Sequence, residues 1–386
     1  MKRKATREQL KRHNRQLVLR AVYSGAADSR AALALETGLT KPTVSDLVAE
    51  LIDEGLLVEG GLGESTDAGG KRPTLIRFAA DARQVIGVAL ESHRVNGVLS
   101  NLAGQIAAQH FIDLETEYAQ HEDIVTLIMG VIDGLIAQLD APLLCLGVGV
   151  PGAVDRETGF VWQSPYDSLS NLSLANHLAA HYHKPVYAGN TGELAALAQF
   201  AFGVDASEPA TNLATLLVGH TVEIGVAQDS AAHHHGGDIS SLILGMNGTT
   251  HRLDHYLTWT NVCARLEQLR AHYGSILPPA PEVTYFHVRY AAARGDDAAR
   301  HLLDELSDTL AQVMAWIIGL LRPDHISLAG AVVNLGESFL EQVAHKTAGL
   351  IAAELAHSTA YSLAYSGNLS AIGAVAHALQ RELDIL

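Results

Sequence analysis

The stretch TGLTKPTVSDLVAELIDEGLL, residues 37–57, contains residues typical of the start and the end of a short helix. Thr40 is a residue type favoured at a helix N-terminus, and Pro42 is tolerated in the first turn because the amides there lack helical partners. Gly55 ends the segment. The apolar residues between these signals recur at the spacing of a single helix face: Val44, Leu47, Val48, Leu51 and Ile52. The stretch therefore predicts an amphipathic helix.

Two more helices are predicted upstream of this one. Apolar residues at helical spacing predict a helix over 7–24, which Gly25 ends. Ser29 is then expected to cap a short helix through Glu36, and residues 37–39 form a tight turn. Two short helices joined by a turn that contains glycine predict a helix-turn-helix, whose second helix enters the major groove of DNA.

Downstream, LLVEGGLGESTDAGGKRPTLIRF, residues 56–78, predicts two short strands around a Gly-rich loop, which is the pattern of a wing. Basic residues at its base can contact phosphates or the minor groove, while hydroxyls and a lysine on the second helix can contact base edges and phosphates. The candidate DNA-binding residues are Ser29, Arg30, Thr40, Lys41, Thr43, Ser45, Lys71 and Arg72. The alternative is a helical hairpin packed as an ordinary core element, but the spacing, caps, wing and local basicity together favour DNA binding.

Charge is distributed unevenly along the 386 residues, whose net charge is −16. Residues 1–83 carry 14 Lys/Arg and 11 Asp/Glu, whereas the remainder carries 12 and 31. An acidic body repels DNA, so any contact with nucleic acid is expected in the N-terminal part, although a solubilising pattern is the alternative. With two cysteines, no signal-peptide segment and no apolar run of ~18–20 residues, the sequence predicts a cytoplasmic protein without disulfides.

From Val85 onward the pattern changes to apolar strands that alternate with helices. VIGVAL, LLCLGVGVPGAV and HISLAG read as strands, and helices are predicted near 121–139, near 298–321 and in GAVAHAL. This alternation predicts an α/β fold with mixed sheets and two lobes. We therefore expect a winged helix-turn-helix domain over 1–83 and a two-lobed domain over 84–386.

Five segments of the body carry a more specific signal, in this order: GVGVPGAVD (147–155), YAGNTGELAAL (187–197), GGDISSL (236–242), RPDHISLAG (322–330) and SAIGAVAHAL (370–379). Their order and spacing resemble the ROK family of repressors, open reading frames and sugar kinases. The helix-turn-helix and GGKRP at 69–73 resemble the repressor branch of that family. The resemblance implies an actin-like pair of α/β lobes around a cleft, and a homodimer or higher homo-oligomer.

The resemblance also implies which positions phosphorylation requires, and three of them have changed. The family's catalytic aspartate corresponds to Thr191, whose hydroxyl cannot accept a proton at neutral pH. The two phosphate loops correspond to ALESH (89–93) and GHTVEIG (219–225), where Glu91 and Glu223 replace glycine and would repel phosphate. A sugar kinase is therefore the less favoured function, and no nucleotide or other cofactor is expected.

The metal site that the resemblance implies is incomplete. Its histidine position is Ser241, the next segment is several residues shorter, and no paired cysteines follow. His233, His234 and His235 are consecutive, with His251 and His255 nearby, but adjacent histidines on an extended chain point to opposite faces and rarely bind one ion together. The sequence therefore predicts a solvated loop at 233–235 and no structural metal.

Part of the sugar pocket is retained according to the same resemblance. Asn190 matches the family's sugar-binding asparagine, Asp238 matches a glutamate, and Asp254 matches a second glutamate. Thr191 and Ser241 complete the set of candidate effector-binding residues. The alternative for these side chains is helix capping or contact with solvent, so the sequence leaves both readings open.

The combined features favour a DNA-binding transcriptional regulator whose catalytically inactive, sugar-kinase-like domain senses a sugar or a sugar derivative. A ligand that prefers one arrangement of the lobes would change the spacing of two DNA-binding units in a dimer. An active sugar kinase and an interaction scaffold without a ligand are the competing hypotheses. A retained, selective pocket would argue against the scaffold.

Overall fold

The structure is a computed structural model, and it describes residues 7–62, 72–91, 94–114, 123–204, 210–228, 230–246, 249–279 and 282–386. This part of the chain forms a small N-terminal unit, here called the head, and two α/β lobes built on separate five-stranded sheets. The predicted fold class is confirmed. No helix in the described ranges is long and apolar enough to cross a membrane.

The head contains α1 (Arg7–Tyr23), α2 (Arg30–Thr37), α3 (Lys41–Asp53), β1 (Leu57–Leu62) and β2 (Thr74–Phe78). The side chains of Ser29 and Thr40 accept hydrogen bonds from amides in the first turns of α2 and α3, so both predicted caps are confirmed. Gly38 has the left-handed φ of 68° that ends α2. β1 and β2 pair antiparallel, as a wing requires. Residues 63–71 of the loop between them, which include Lys71, lie outside the described residues.

The first lobe follows directly. Its elements are β3 (Gln84–Glu91), β4 (Arg94–Asn101), β5 (Ile106–Asp113), α4 (Ile124–Ile136), β6 (Leu143–Val150), β7 (Ala153–Asp155), β8 (Phe160–Gln163), β9 (Leu172–Ser173), α5 (Leu174–Tyr182) and β10 (Val186–Asn190). The main sheet has the order β10-β6-β3-β4-β5, with β10, β6 and β3 parallel and the other pairs antiparallel. β7, β8 and β9 form a small second sheet. Apolar side chains of α4 pack on the main sheet and form the core of this lobe.

The second lobe begins after a connecting helix. Its elements, with that helix first, are α6 (Thr191–Phe202), β11 (Asn212–Val218), β12 (Val222–Gln228), β13 (Ser230–Asp238), β14 (Ile243–Met246), β15 (Thr249–Arg252), α7 (Leu253–Leu257), α8 (Trp259–Tyr273), α9 (Tyr285–Ala293), α10 (Asp297–Leu321), β16 (His325–Gly330), α11 (Glu337–Ala348), α12 (Ala353–His357), β17 (Ala360–Leu363) and α13 (Leu369–Leu383). The sheet order is β13-β12-β11-β16-β17, antiparallel over the first three strands and parallel over the last three. The largest core cluster lies between this sheet and α8, α9, α10 and α11.

Helices α6 and α13 cross at the centre of the body. α6 contacts strands of both sheets, and α13 lies against α6 and the first sheet. Glycines allow this close approach: a Cβ atom at Gly147 would lie 1.9 Å from the carbonyl oxygen of Ala374, and one at Gly373 would lie 1.8 Å from that of Leu194. A side chain at either glycine would separate the packed elements.

The head packs against the body rather than standing apart from it. One hydrophobic cluster includes residues of α1, α3, β3 and α13, among them Val18, Leu51, Val85 and Leu379. Arg20 of α1 pairs with Asp384, just beyond α13, at 2.9 Å. The domain boundary at 83/84 stays a prediction, because the apolar core continues across it.

Candidate functional site

A cleft of about 420 Å³ lies between the lobes, where strands of both sheets end. Leu90 and Glu91 come from the end of β3, and Pro151 follows β6. Gly219 follows β11, and Ala331 follows β16. Ligands of open α/β sheets bind at the carboxyl ends of the strands, so this cleft is the candidate ligand site.

The carboxylate of Glu223 is bound by four donors, one of which is Thr191 of the cleft lining. The amides of Gly152 and Gly192 and the side-chain amide of Asn190 each donate to it at 2.9 Å. The hydroxyl of Thr191 donates as well. Glu223 is fully buried, whereas the sequence predicted that its charge would face a phosphate in an open loop. That placement is corrected, because Glu223 lies in strand β12.

This contact explains why a threonine occupies position 191. An aspartate there would place a second carboxylate against Glu223, whereas the threonine hydroxyl donates to it. Burial raises the pKa of Glu223 to about 7, although the hydrogen bonds from Thr191 and the two amides lower it. From the sequence, Thr191 and Glu223 are two independent substitutions that each remove a requirement for kinase activity. In the structure, their side chains form one hydrogen bond with each other.

Both polar atoms of the Asn190 side chain are hydrogen-bonded to other groups of the protein. Its side-chain oxygen accepts from the amide of Glu193 and caps α6, while its side-chain nitrogen donates to the carbonyl of Gly152 and to Glu223. The residue is 3% exposed. The structure therefore supports the capping alternative for this position.

Glu91 occupies the second position where the family resemblance implies a phosphate loop. Its carboxylate accepts a hydrogen bond of 2.6 Å from the amide of Ser370, in the first turn of α13. Desolvation raises the pKa of Glu91 to about 7, and the charge of Glu223 contributes in the same direction. A helix N-terminus is a favourable place for an anion, and here it holds a carboxylate of the chain itself.

The other effector candidates do not meet in the cleft. Asp238 and Ser241 are exposed, and Asp238 accepts from the amide of Ser240. Asp254 pairs with Arg252 at 2.7 Å and lines a separate surface cavity. Of the five predicted residues, Thr191 lines the cleft. Any contact of the remaining four with an effector stays a prediction.

The histidine cluster is not a loop, which corrects the prediction. Residues 233–235 belong to β13, so neighbouring side chains alternate between its faces: His234 is buried and His235 is exposed. The rings of His251 and His255 stack with centroids 4.2 Å apart. Among the described residues, no three His, Cys, Asp or Glu side chains are placed to hold a metal ion.

Sequence reasoning missed most of the polar residues that line the cleft. These are Arg94, Asn96, Asp113, Tyr166, His220, Asn334 and Tyr365. Arg94 and Asp113 pair at 2.5 Å across adjacent strands, which neutralises the charge of both. Their position in the sequence could have identified several of them, because they lie at or just beyond the ends of apolar strands.

The head presents part of the predicted DNA-binding set. Thr40, Lys41, Ser45 and Arg72 are exposed, and Thr43 is partly exposed. Ser29 is 6% exposed because it caps α2, and Arg30 pairs with Glu59 of the wing at 3.1 Å, so a contact of either residue with DNA stays a prediction. The exposed polar start of α3 and the adjacent β1–β2 hairpin are the geometry of a winged helix-turn-helix.

Together, the head, the two lobes and the cleft define a helix-turn-helix protein with a sugar-kinase-like, actin-like body. The sequence profile of the ROK family matches residues 85–381. The chain belongs to the ROK family, and the head lies before the matched region.

Similar proteins include both regulators and kinases. The chain is 24% identical over 369 residues to the xylose repressor of Caldicellulosiruptor bescii, covering 86% of this chain and 87% of that protein. Its fold is similar to that of a ROK family transcriptional regulator, a homolog of the Escherichia coli MLC protein, with a TM-score of 0.78, 20% identity and coverage of 97% and 96%. A ROK family glucokinase from Streptomyces griseus, solved with glucose and AMPPNP, matches with a TM-score of 0.63, 18% identity and coverage of 77% and 99%.

Proposed function

We propose that this chain is a cytoplasmic transcriptional repressor of sugar-utilisation genes. The observation that carries this proposal is the capped helix α3, whose exposed Lys41 and Ser45 stand beside a wing hairpin. Such a helix enters the major groove with its first residues near base edges. The similarity to a xylose repressor over 86% of the chain supports the same function.

The cleft, in this proposal, binds a sugar without phosphorylating it. Thr191 supplies no base, and the side chains of Glu91 and Glu223 already occupy the donors at the first turns of α13 and α6, so neither position offers bare backbone to a phosphate. Asn96, Tyr166 and Asn334 offer neutral polar groups that suit hydroxyls. The ligand class that fits is an uncharged monosaccharide or a close derivative.

Helix α13 provides a route from the cleft to the head. Its first turn binds Glu91 at the cleft, and Asp384 beyond its end pairs with Arg20 of the head. Its 15 residues span about 22 Å at 1.5 Å per residue. A sugar that changes the lobe arrangement would shift this helix and thereby the orientation of α3. In a homodimer, the shift would change the spacing of two helices relative to paired half-sites.

The competing function is a sugar kinase, since a glucokinase shares the fold. The test is a sugar panel measured by thermal unfolding and by ATP turnover. Binding to the cleft raises the melting temperature by mass action without turnover, and His220→Ala, at the cleft wall, reduces the rise. Gln268→Ala, in a separate surface cavity beside α8, is the control and leaves the rise intact. Turnover that depends on sugar, above a denatured control, would establish the kinase instead.

A further inference from the structure

The four groups around Glu223 are all hydrogen-bond donors that converge on one point. Two are backbone amides, from the turn after β6 and from the first turn of α6, and two are side chains, Asn190 and Thr191. The 12-residue helix α6 adds its N-terminal dipole. Convergent donors at a helix N-terminus form an oxyanion site, and here the bound oxyanion is visible as the carboxylate of Glu223.

We propose that these groups form an oxyanion-binding site that the chain fills with its own Glu223, and that this internal ligand ties the two lobes together. Glu223 lies on β12 of the second sheet, whereas Gly152 and Asn190 belong to the first lobe and Gly192 to the helix between them. The carboxylate therefore crosses from one lobe to the other.

The surrounding backbone is shaped for this ligand. A Cβ atom at Gly192 would lie 2.6 Å from the Cβ of Glu223, and one at Gly225 would lie 2.0 Å from the carbonyl oxygen of Gly192. Both glycines let β12 approach α6 closely enough for the carboxylate to enter. A tethered carboxylate also has a high effective concentration, so a free anion cannot displace it at ordinary concentrations.

The ligand class that fits the vacated site is a small monocarboxylate. Glu223→Ala removes a CH2 and a carboxylate, which are close in size and charge to acetate. The variant is expected to melt well below the parent chain, and acetate is expected to raise its melting temperature by about 2–4 °C for a roughly tenfold excess over the dissociation constant. The result does not depend on DNA binding.

The experiment, at about pH 8 where Glu223 is mostly ionised, compares acetate with acetamide and with chloride at the same ionic strength. Acetate alone should stabilise Glu223→Ala, and none of the three should stabilise the parent chain. Asp238→Ala is the matched control: Asp238 pairs with Glu223 across adjacent strands but is exposed, so its removal creates no acetate site.

Two outcomes would overturn the proposal. One is an equal response of Glu223→Ala to acetate, acetamide and chloride. The other concerns Glu223→Gln, which is measured if Glu223→Ala does not accumulate. This variant keeps the shape of the side chain but turns an amide nitrogen toward the donors, so it must lower the melting temperature. An unchanged melting temperature for Glu223→Gln would show that the donors do not require a carboxylate.

Discussion

Thr191→Asp places a carboxylate beside that of Glu223, in a position where Thr191 is 1% exposed. Two like charges ~4 Å apart at an effective dielectric constant of about 20 repel by about 4 kcal/mol. At about pH 8 the repulsion is relieved most cheaply by protonating Glu223, whose pKa is about 7, so the loss in the free energy of unfolding is expected to reach about 1.4 kcal/mol. At about pH 5.5 Glu223 is already protonated, so the expected loss from repulsion is close to zero.

The assay is urea unfolding of the parent chain and the variant at both pH values. Thr191→Asn is the matched control, because its neutral amide has nearly the shape of aspartate and can donate to Glu223 as the hydroxyl does. It should lose far less stability than Thr191→Asp, with little dependence on pH. The same variants are tested for ATP turnover with a sugar panel, and none is expected, since a base contributes only when phosphate is held in line.

Either of two results would contradict this prediction. Equal stability of Thr191→Asp and Thr191→Asn at about pH 8 would show that Glu223 is not beside position 191 as a charged group. Sugar-dependent turnover by Thr191→Asp would show that phosphate can still bind in the cleft despite Glu91 and Glu223.

Three further predictions concern the head, its link to the cleft and pH. Replacing Lys71 and Arg72 with alanine should weaken binding similarly for all DNA sequences, and should reduce the slope of log affinity against log salt concentration by about one per residue. Ser45→Ala should instead change the preferred operator. Unchanged slopes would contradict the wing assignment. Arg20→Ala should leave sugar-induced stabilisation intact but reduce the effect of sugar on DNA affinity, and an unaltered effect would exclude the α13 route. Glu91, Glu193 and Glu223 have folded-state pKa values near 7, so their contribution to the free energy of unfolding falls as pH rises from about 4.5 to about 7, whereas buried His377, whose pKa lies well below its usual value, contributes in the opposite direction. Glu223→Gln removes one of these carboxylates and should make the slope of stability against pH less negative; an identical slope would contradict the assignment.

Local features of the fold were predictable from the sequence. The caps at Ser29 and Thr40 and the stripe on α3 depend on residues within one helix, so spacing alone located them. The long helix predicted near 298–321 begins at Asp297, where Asp296 caps it. The mixed sheets followed from the alternation of strands and helices, although their strand order did not.

Contacts between distant segments were not predictable in this way. Thr191 and Glu223 are 32 residues apart on different elements, so the sequence offered two separate substitutions and no sign that they touch. Asp238 was assigned to the cleft by a matched motif, but it ends β13 on an exposed surface. A matched motif identifies the helix or strand to which a residue belongs, whereas the direction in which its side chain points depends on how the lobes pack.

The central claim is that a sugar in the cleft controls DNA binding through the head. The most direct measurement is the affinity of the full chain for a duplex selected from a random library, with and without each sugar of the panel. We predict tight, salt-dependent binding that one sugar or derivative weakens, and loss of this binding in a Lys41→Ala, Thr43→Ala, Ser45→Ala variant that still folds. Failure to select any duplex, or equal affinity of that variant, would contradict the claim.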